Sequence, residues 1–153
     1  MRWLETRIPP PVVAALVAVL MGLAAPSAAR LAASSTLRLS LALAIALAGG
    51  VVAGAGSRAF RRAGTTVNPL RPARASSLVT TGIYRFTRNP MYVGLTCVLT
   101  GVAAWLWWWP ALAGPCVFVA YITRFQVQPE ERALGAKFGA EYEAYRRQVR
   151  RWL

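Results

Sequence analysis

The sequence predicts an all-α integral membrane protein, with about four transmembrane helices and an amphipathic C-terminal helix in one membrane domain over residues 1–153. Three observations carry this. Of 153 residues, 56% are hydrophobic and mean hydropathy is +0.42, more apolar surface than a water-soluble domain of that length can bury. Lys and Arg number 18 against 5 Asp and Glu, a net charge of +13. Those charges fall in blocks separated by long uncharged runs, the pattern of loops between spans.

The first span, about 9–29, opens on Pro9-Pro10-Pro11, which fits a first turn where no helical N–H bond is lost. A cleaved signal peptide is the rival for this segment, because Arg2 and Arg7 precede the apolar run and Ala25-Pro26-Ser27-Ala28-Ala29 supplies small residues. The Pro-rich start and the second span soon afterwards favour a retained helix. That second span, about 37–57, contains Gly49-Gly50 and Gly54; no strand precedes these glycines, so Gly50 and Gly54 read as a G-x-x-x-G packing face rather than a nucleotide loop. The third span, about 90–109, and the fourth, about 111–128, form a helical hairpin around Trp109-Pro110, with Arg124 snorkelling near the end.

Basic residues then orient the chain. Seven lie between spans two and three (Arg58, Arg61, Arg62, Arg71, Arg74, Arg85, Arg88) and seven from Arg124 onward, against none in the hairpin turn. The positive-inside rule places this middle loop and both termini in the cytoplasm, and Trp105, Trp107, Trp108 and Trp109 become an aromatic belt at the opposite interface. The Ala-, Arg- and Leu-rich composition suggests a multi-pass protein of a prokaryotic plasma membrane.

Several chemistries are excluded or disfavoured. There is no histidine, hence no Ser-His-Asp triad, no His-containing zinc site and no imidazole acid–base chemistry. Cys97 and Cys116 sit singly in apolar runs and read as small core hydrophobes, and no metal is expected. Nucleic acid is a poor partner for the basic charge, because the arginines flank spans and no soluble domain presents them.

Polar, motif-like sequence is concentrated in residues 57–94 and 124–153, which the predicted topology puts on the same side as one catalytic region. Gly64-Thr65-Thr66-Val67-Asn68-Pro69 reads as an ordered loop, and Arg88-Asn89 is delivered just before Pro90 opens a helix. Tyr92 and Gly94 fall in that helix's first turns, with Gly94 letting a ligand approach the backbone. Pro129-Glu130-Glu131 begins the C-terminal helix, about 129–149, with two carboxylates at its positive end. Leu134, Phe138, Tyr142, Tyr145 and Val149 come next at spacings of four, four, three and four, one apolar-aromatic face. Glu143 and Arg147 are placed for an i,i+4 pair, while Arg146, Arg147, Arg150, Arg151 and Trp152 make an end suited to anionic lipid. Each part alone has a plainer meaning as helix start, cap, packing or topology signal.

The order of the parts is more specific than any one of them. Gly64-Thr65-Thr66-Val67, then Gly82-x-Tyr84-Arg85-x-x-Arg88-Asn89-Pro90-Met91-Tyr92-x-Gly94, a hairpin, Glu130-Glu131-x-x-Leu134, Phe138-Gly139-x-Glu141-Tyr142-x-x-Tyr145 and a closing Val149-Arg150-Arg151-Trp152 resembles the isoprenylcysteine carboxyl methyltransferase family and the related phospholipid methyltransferases. The resemblance covers about residues 57–153 and implies an S-adenosylmethionine-dependent methyltransferase acting on a lipophilic small molecule, lipid or lipidated substrate. It implies catalytic roles for Arg88, Glu131 and Arg124. For the cofactor it implies Glu130 and Glu131 at the ribose or amino group, and Arg88, Asn89, Pro90, Tyr92 and Gly94 at the methionine end. Tyr84, Tyr92, Tyr142 and Tyr145 are candidates for adenine packing or for facing the sulfonium. Methyl transfer displaces a leaving group from an already activated carbon, so positioning carries much of the rate and histidine is not required.

Two departures leave the acceptor open. The eukaryotic isoprenylcysteine enzymes have His where this chain has Asn89, and an Arg where it has Gln126. An NADPH-dependent reductase of the sterol type and a non-catalytic lipid- or partner-binding protein are the competing functions; Glu130 and Glu131 suit a cationic ligand better than extra phosphates.

Overall fold

Prolines open several of the helices in the computed structural model, which describes residues 5–27, 36–64 and 76–153. α1 runs Pro10–Ala24 with proline in its first turn, and α2 runs Thr36–Arg62. A 3-10 turn at Gly82–Arg85 leads to α3, Pro90–Leu106, again started by proline. Trp107 takes a left-handed φ of 48° and stops α3; a second 3-10 turn, Trp109–Leu112, leads to α4, Ala113–Ile122. A π-helical turn, Thr123–Val127, joins α4 to α5, Gln128–Gln148. The all-α expectation holds: no strand occurs among the described residues.

The four predicted spans are a different matter. Among the described residues only α2 is both long and apolar enough to cross a membrane. α1 and α3, with 15 and 17 residues, are shorter apolar helices, about 22 and 26 Å long at 1.5 Å per residue. The expected break at 128/129 is also absent from the backbone, because the π turn carries α4 directly into α5. The break falls instead inside the C-terminal helix, where Gly139 has φ 50° and ψ −122°, a conformation open to glycine. Thr65–Pro69, Arg71 and Arg74 lie outside the described residues, as do Ala28, Ala29 and Arg30.

α2 and α3 touch along a seam of small residues. Ala42, Ala46, Gly49, Ala53 and Gly56 of α2 meet Pro90, Met91, Gly94, Cys97 and Gly101 of α3. A Cβ on Gly94 would stand 2.5 Å from the Gly49 carbonyl oxygen and 2.7 Å from Ala53 Cβ. Backbones approach this closely only without side chains between them, the packing mode of helices in lipid. The G-x-x-x-G reading is therefore right in kind and wrong in register, since nothing lies within 4 Å of a Cβ on Gly50. Most large apolar residues of α2, including Leu37, Leu47 and Val51, are exposed.

The other side of α3 holds the main core. Val13, Ala14 and Met21 of α1 pack with Tyr92, Leu99, Ala103 and Leu106 of α3 and with Phe118 and Ile122 of α4. Gly114 admits Met21, whose Sδ would lie 2.3 Å from a Cβ there. Thr96 and Thr100 spend their hydroxyls on carbonyls one turn back, at 2.9 Å each, so α3 presents no unbonded hydroxyl on that face. Cys97 is half-buried at the α2 seam, while Cys116 is exposed on α4, so only the first fits the core role expected of both.

Arg38, near the start of α2, stacks over Trp107 at 5.2 Å. The start of α2 and the α3–α4 turn thus share one end of the bundle, where Trp105, Trp107 and Trp109 are exposed. The opposite end gathers the polar motifs.

Candidate functional site

The site is assembled from three short pieces: the 82–92 segment, the first turn of α5 and the chain after α5. Gly82, at φ 63°, turns the chain into the 3-10 segment that carries Tyr84. The Tyr84 ring meets Phe60 of α2 edge-on at 5.3 Å, and the Tyr84 carbonyl accepts the Tyr145 hydroxyl at 2.8 Å. Tyr84, Tyr142, Tyr145, Val79 and Val149 form a second apolar cluster, with Leu134 and Phe138 packed against it. The face predicted from spacing is thus the face that folds inward.

Arg88 lies under this cluster with its side chain 9% exposed. Its Nη1 donates to the Tyr142 hydroxyl at 3.2 Å and its Nη2 pairs with Glu131 Oε1 at 3.2 Å. Its Nε is buried without a hydrogen-bond partner. Such an orphaned donor in a native fold calls for an explanation, and a bound group is one. Arg151 approaches Glu131 from the other side with a fork, Nε to Oε1 at 2.9 Å and Nη2 to Oε2 at 2.7 Å. That bond raises the basicity of Arg151.

Adjacent residues on a helix point about 100° apart, so the Glu-Glu pair serves two walls. Glu130 turns toward α3 and the π turn, where its Oε1 accepts the Tyr92 hydroxyl at 2.7 Å and the Gln126 amide at 2.6 Å. Gln126 is 2% exposed and sits one helical turn before Glu130, inside the π turn. Burial pushes the Glu130 carboxyl up to about 7, against the pull of the two hydrogen bonds. Burial likewise pushes the Tyr142 phenol up to about 12, with Arg88 opposing, and raises Tyr84 and Tyr145 further, which favours the neutral phenol in all three.

The sequence-predicted residues thus divide. Tyr84, Arg88, Asn89, Tyr92, Glu130, Glu131, Tyr142 and Tyr145 are brought together, as expected from segments 57–94 and 124–153. Asn89 is used differently from the expectation. Its Nδ2 donates to the Arg151 carbonyl at 2.9 Å, which ties down the C-terminal chain. Pro90 and Gly94 face α2, and the space above Gly94 that was expected to admit a ligand is filled by Gly49 and Ala53. Arg124 stays apart from Arg88 and Glu131; its side chain is 46% exposed, pairs with Glu5 at 3.0 Å and stacks near Phe125. Glu5 also bonds Arg132, and the Thr6 N–H donates to the Phe125 carbonyl of the π turn at 2.9 Å.

Other expectations at this end also change. Glu143 pairs with Arg146 at 3.5 Å rather than with Arg147, one of two equivalent neighbours on an exposed helix face. Arg151 and Trp152 were assigned to the lipid surface, yet Arg151 binds Glu131 and Trp152 packs on the main core. The sequence had no periodic signal for them, because they come after the helix in extended chain. Gln126 was visible only as a departure from a pattern, and Thr87, whose hydroxyl donates to the Arg151 carbonyl at 3.3 Å, was not visible at all. Among the described residues, no group of three His, Cys, Asp or Glu is placed to hold a metal.

Residues 37–141 match the phospholipid methyltransferase family, PEMT. The chain belongs to that family. The match starts at α2 and ends within α5, so the matched range spans the loop that carries Arg88 and the first turn of α5 with Glu130 and Glu131. A Haemophilus influenzae protein named only "Uncharacterized protein" is 41% identical over 63 residues, 41% of this chain and 100% of that one. No solved structure matches the chain. As a family member the protein is a membrane-associated methyltransferase, which agrees with the apolar length of α2.

Proposed function

We propose that the protein transfers a methyl group from S-adenosylmethionine to a lipophilic or membrane-embedded acceptor. The observation that carries this is the juxtaposition of unlike charges in one half-buried cluster: Arg88 with an orphaned Nε, and Glu130, the neighbour of Arg88's partner Glu131, whose two bonds both use Oε1. The cofactor has a carboxylate, an ammonium and a cationic sulfonium, and this cluster offers donors for the first and a carboxylate for the cations. When bound, the cofactor supplies an electrophilic methyl group. Arg88 holds the carboxylate through donors that are already desolvated, Glu130 holds positive charge, and the rings of Tyr84, Tyr142 and Tyr145 cover the site and exclude water. Acceptor identity stays at the level of a lipophilic group reaching the site from the bilayer; an isoprenylcysteine carboxylate would find Gln126 in place of an arginine, with its amide already committed to Glu130.

The proposal includes the topology. α1, α3 and α4 with its π turn cross as short helices beside α2, and Trp105, Trp107 and Trp109 complete the far interface. Arg58, Arg61, Arg62, Arg85, Arg146, Arg147 and Arg150 then flank the site on the cytoplasmic face of a prokaryotic plasma membrane, against anionic lipid, with exposed Phe86 at the same level.

The test is calorimetric binding of S-adenosylmethionine and S-adenosylhomocysteine to the detergent-purified protein, with NADPH as the comparison ligand. The expected result is saturable binding of the first two, lost in Glu130→Gln. Binding of NADPH alone would overturn the assignment.

A further inference from the structure

The chain after α5 is a strap laid across the Arg88 loop. Helix α5 ends where Val149 turns extended, at φ −122° and ψ 131°. The Arg150 carbonyl then accepts the Arg88 N–H at 3.0 Å, and the Arg151 carbonyl accepts both Asn89 Nδ2 at 2.9 Å and Thr87 Oγ1 at 3.3 Å. Val149 and Trp152 are packed into the two apolar clusters on either side. Backbone and flanking side chains therefore fix the strap, and the Arg151 side chain is left to act on Glu131 alone, by its fork.

We infer that Arg151 is a positioning residue for the methyl-donor site: by holding Glu131 with two bonds, it keeps the Nε of the buried Arg88 guanidinium available to an anionic group. This rests on the methyltransferase reading above. On the wall formed by Glu131, two guanidiniums face one carboxylate, an excess of one positive charge, enough to face one carboxylate of a ligand, while Glu130 is bonded on the other wall. Without Arg151 that wall has no excess positive charge. Glu131, only 12% exposed, would then have Arg88 as its sole cation in this cluster. The favoured geometry for that pair is a fork through Nε and Nη2, and Nε is the Arg88 donor that stands unpartnered. Glu131 would take up the donors that the ligand needs. Arg151 itself is 37% exposed, so its truncation opens no buried cavity.

The experiment is binding of two probes to the full-length protein in detergent: S-adenosylhomocysteine, which has the amino-acid carboxylate, and methylthioadenosine, which lacks it. In Arg151→Ala the first should bind about 10- to 100-fold more weakly, the range of a hydrogen bond to a charged group, with the second unchanged. Arg151→Lys, which restores charge without the fork, should recover part of the loss, and Arg147→Ala on the exposed face of α5 should match wild type. Equal weakening of both probes in Arg151→Ala would show a merely structural strap and overturn the inference, as would unchanged binding of S-adenosylhomocysteine. Failure of wild type to bind either probe would overturn the methyltransferase reading and this inference with it, an outcome distinct from the other two.

Discussion

The Tyr92 hydroxyl donates to Glu130 Oε1 across 2.7 Å, tying the first turn of α3 to the first turn of α5. It links the two sequence motifs from opposite sides of the α3–α4 hairpin, and it places a carboxyl group where burial raises it to about 7. Through this carboxyl, rising pH favours cofactor binding and disfavours folding.

Binding of S-adenosylmethionine should strengthen as pH rises from about 5.5 and level off above about 7.5. Its positive groups need ionised Glu130, and protonation below about 7 removes that charge. For folding, the raised value means the native state holds the extra proton between the ordinary carboxylate range and about 7. Stability from this group is therefore complete below the unfolded value and is lost as pH rises through about 7. Calorimetric titration of the wild-type protein across this range checks the first part, and affinity that does not change with pH would contradict it.

Tyr92→Phe removes one of two donors to the same oxygen, leaving Gln126. Cofactor affinity should fall by about 1.5–3 kcal/mol, the worth of a hydrogen bond to a charged group. The midpoint of the pH profile should also move upward, because that bond holds the Glu130 carboxyl down. A midpoint that moves downward would contradict this account.

Gly94→Ala and Gly50→Ala separate the packing seam from the outer face of α2. The first puts a Cβ 2.5 Å from the Gly49 oxygen and must push the helices apart, at about 1–3 kcal/mol. The second meets nothing within 4 Å, and by helix propensity should be neutral or stabilising by up to about 1 kcal/mol. Thermal melts in detergent give both values.

Gly139→Ala should lower the melting temperature by the equivalent of about 1–3 kcal/mol, since an alanine at φ 50° and ψ −122° is strained even with no neighbour within 4 Å. If the helix straightens instead, Tyr142 and Tyr145 lose their register against Tyr84, and tyrosine fluorescence changes with the loss of stability. A higher melting temperature would show that the break serves no purpose.

Reporters fused after Leu153 and at Ala113 should give cytoplasmic and non-cytoplasmic signals respectively. A non-cytoplasmic C-terminus would remove the basis for a cytosolic cofactor reaching Glu130.

Local pattern determined a good part of this protein. Proline at Pro10 and Pro90 started helices where expected, and the spacing of Leu134, Phe138, Tyr142, Tyr145 and Val149 identified the inward face of α5. These features depend on neighbours within one or two turns, and a linear sequence records such relationships directly. The order of motifs also determined the family.

Only the tertiary structure decided which atoms meet. Whether Gly49 or Gly50 faces α3 depends on a rotation of about 100°, which the unbroken apolar run 41–56 of α2 does not encode in its periodicity. The π turn at Thr123–Val127 adds a further rotation and buries Gln126 against Glu130. Arg124 went to Glu5, a residue 119 positions away, while Arg151, in extended chain after the last helix, reached Glu131. Contacts between such distant residues follow from how the helices pack, and so the side chains that complete the ion cluster became apparent only once the chain was folded.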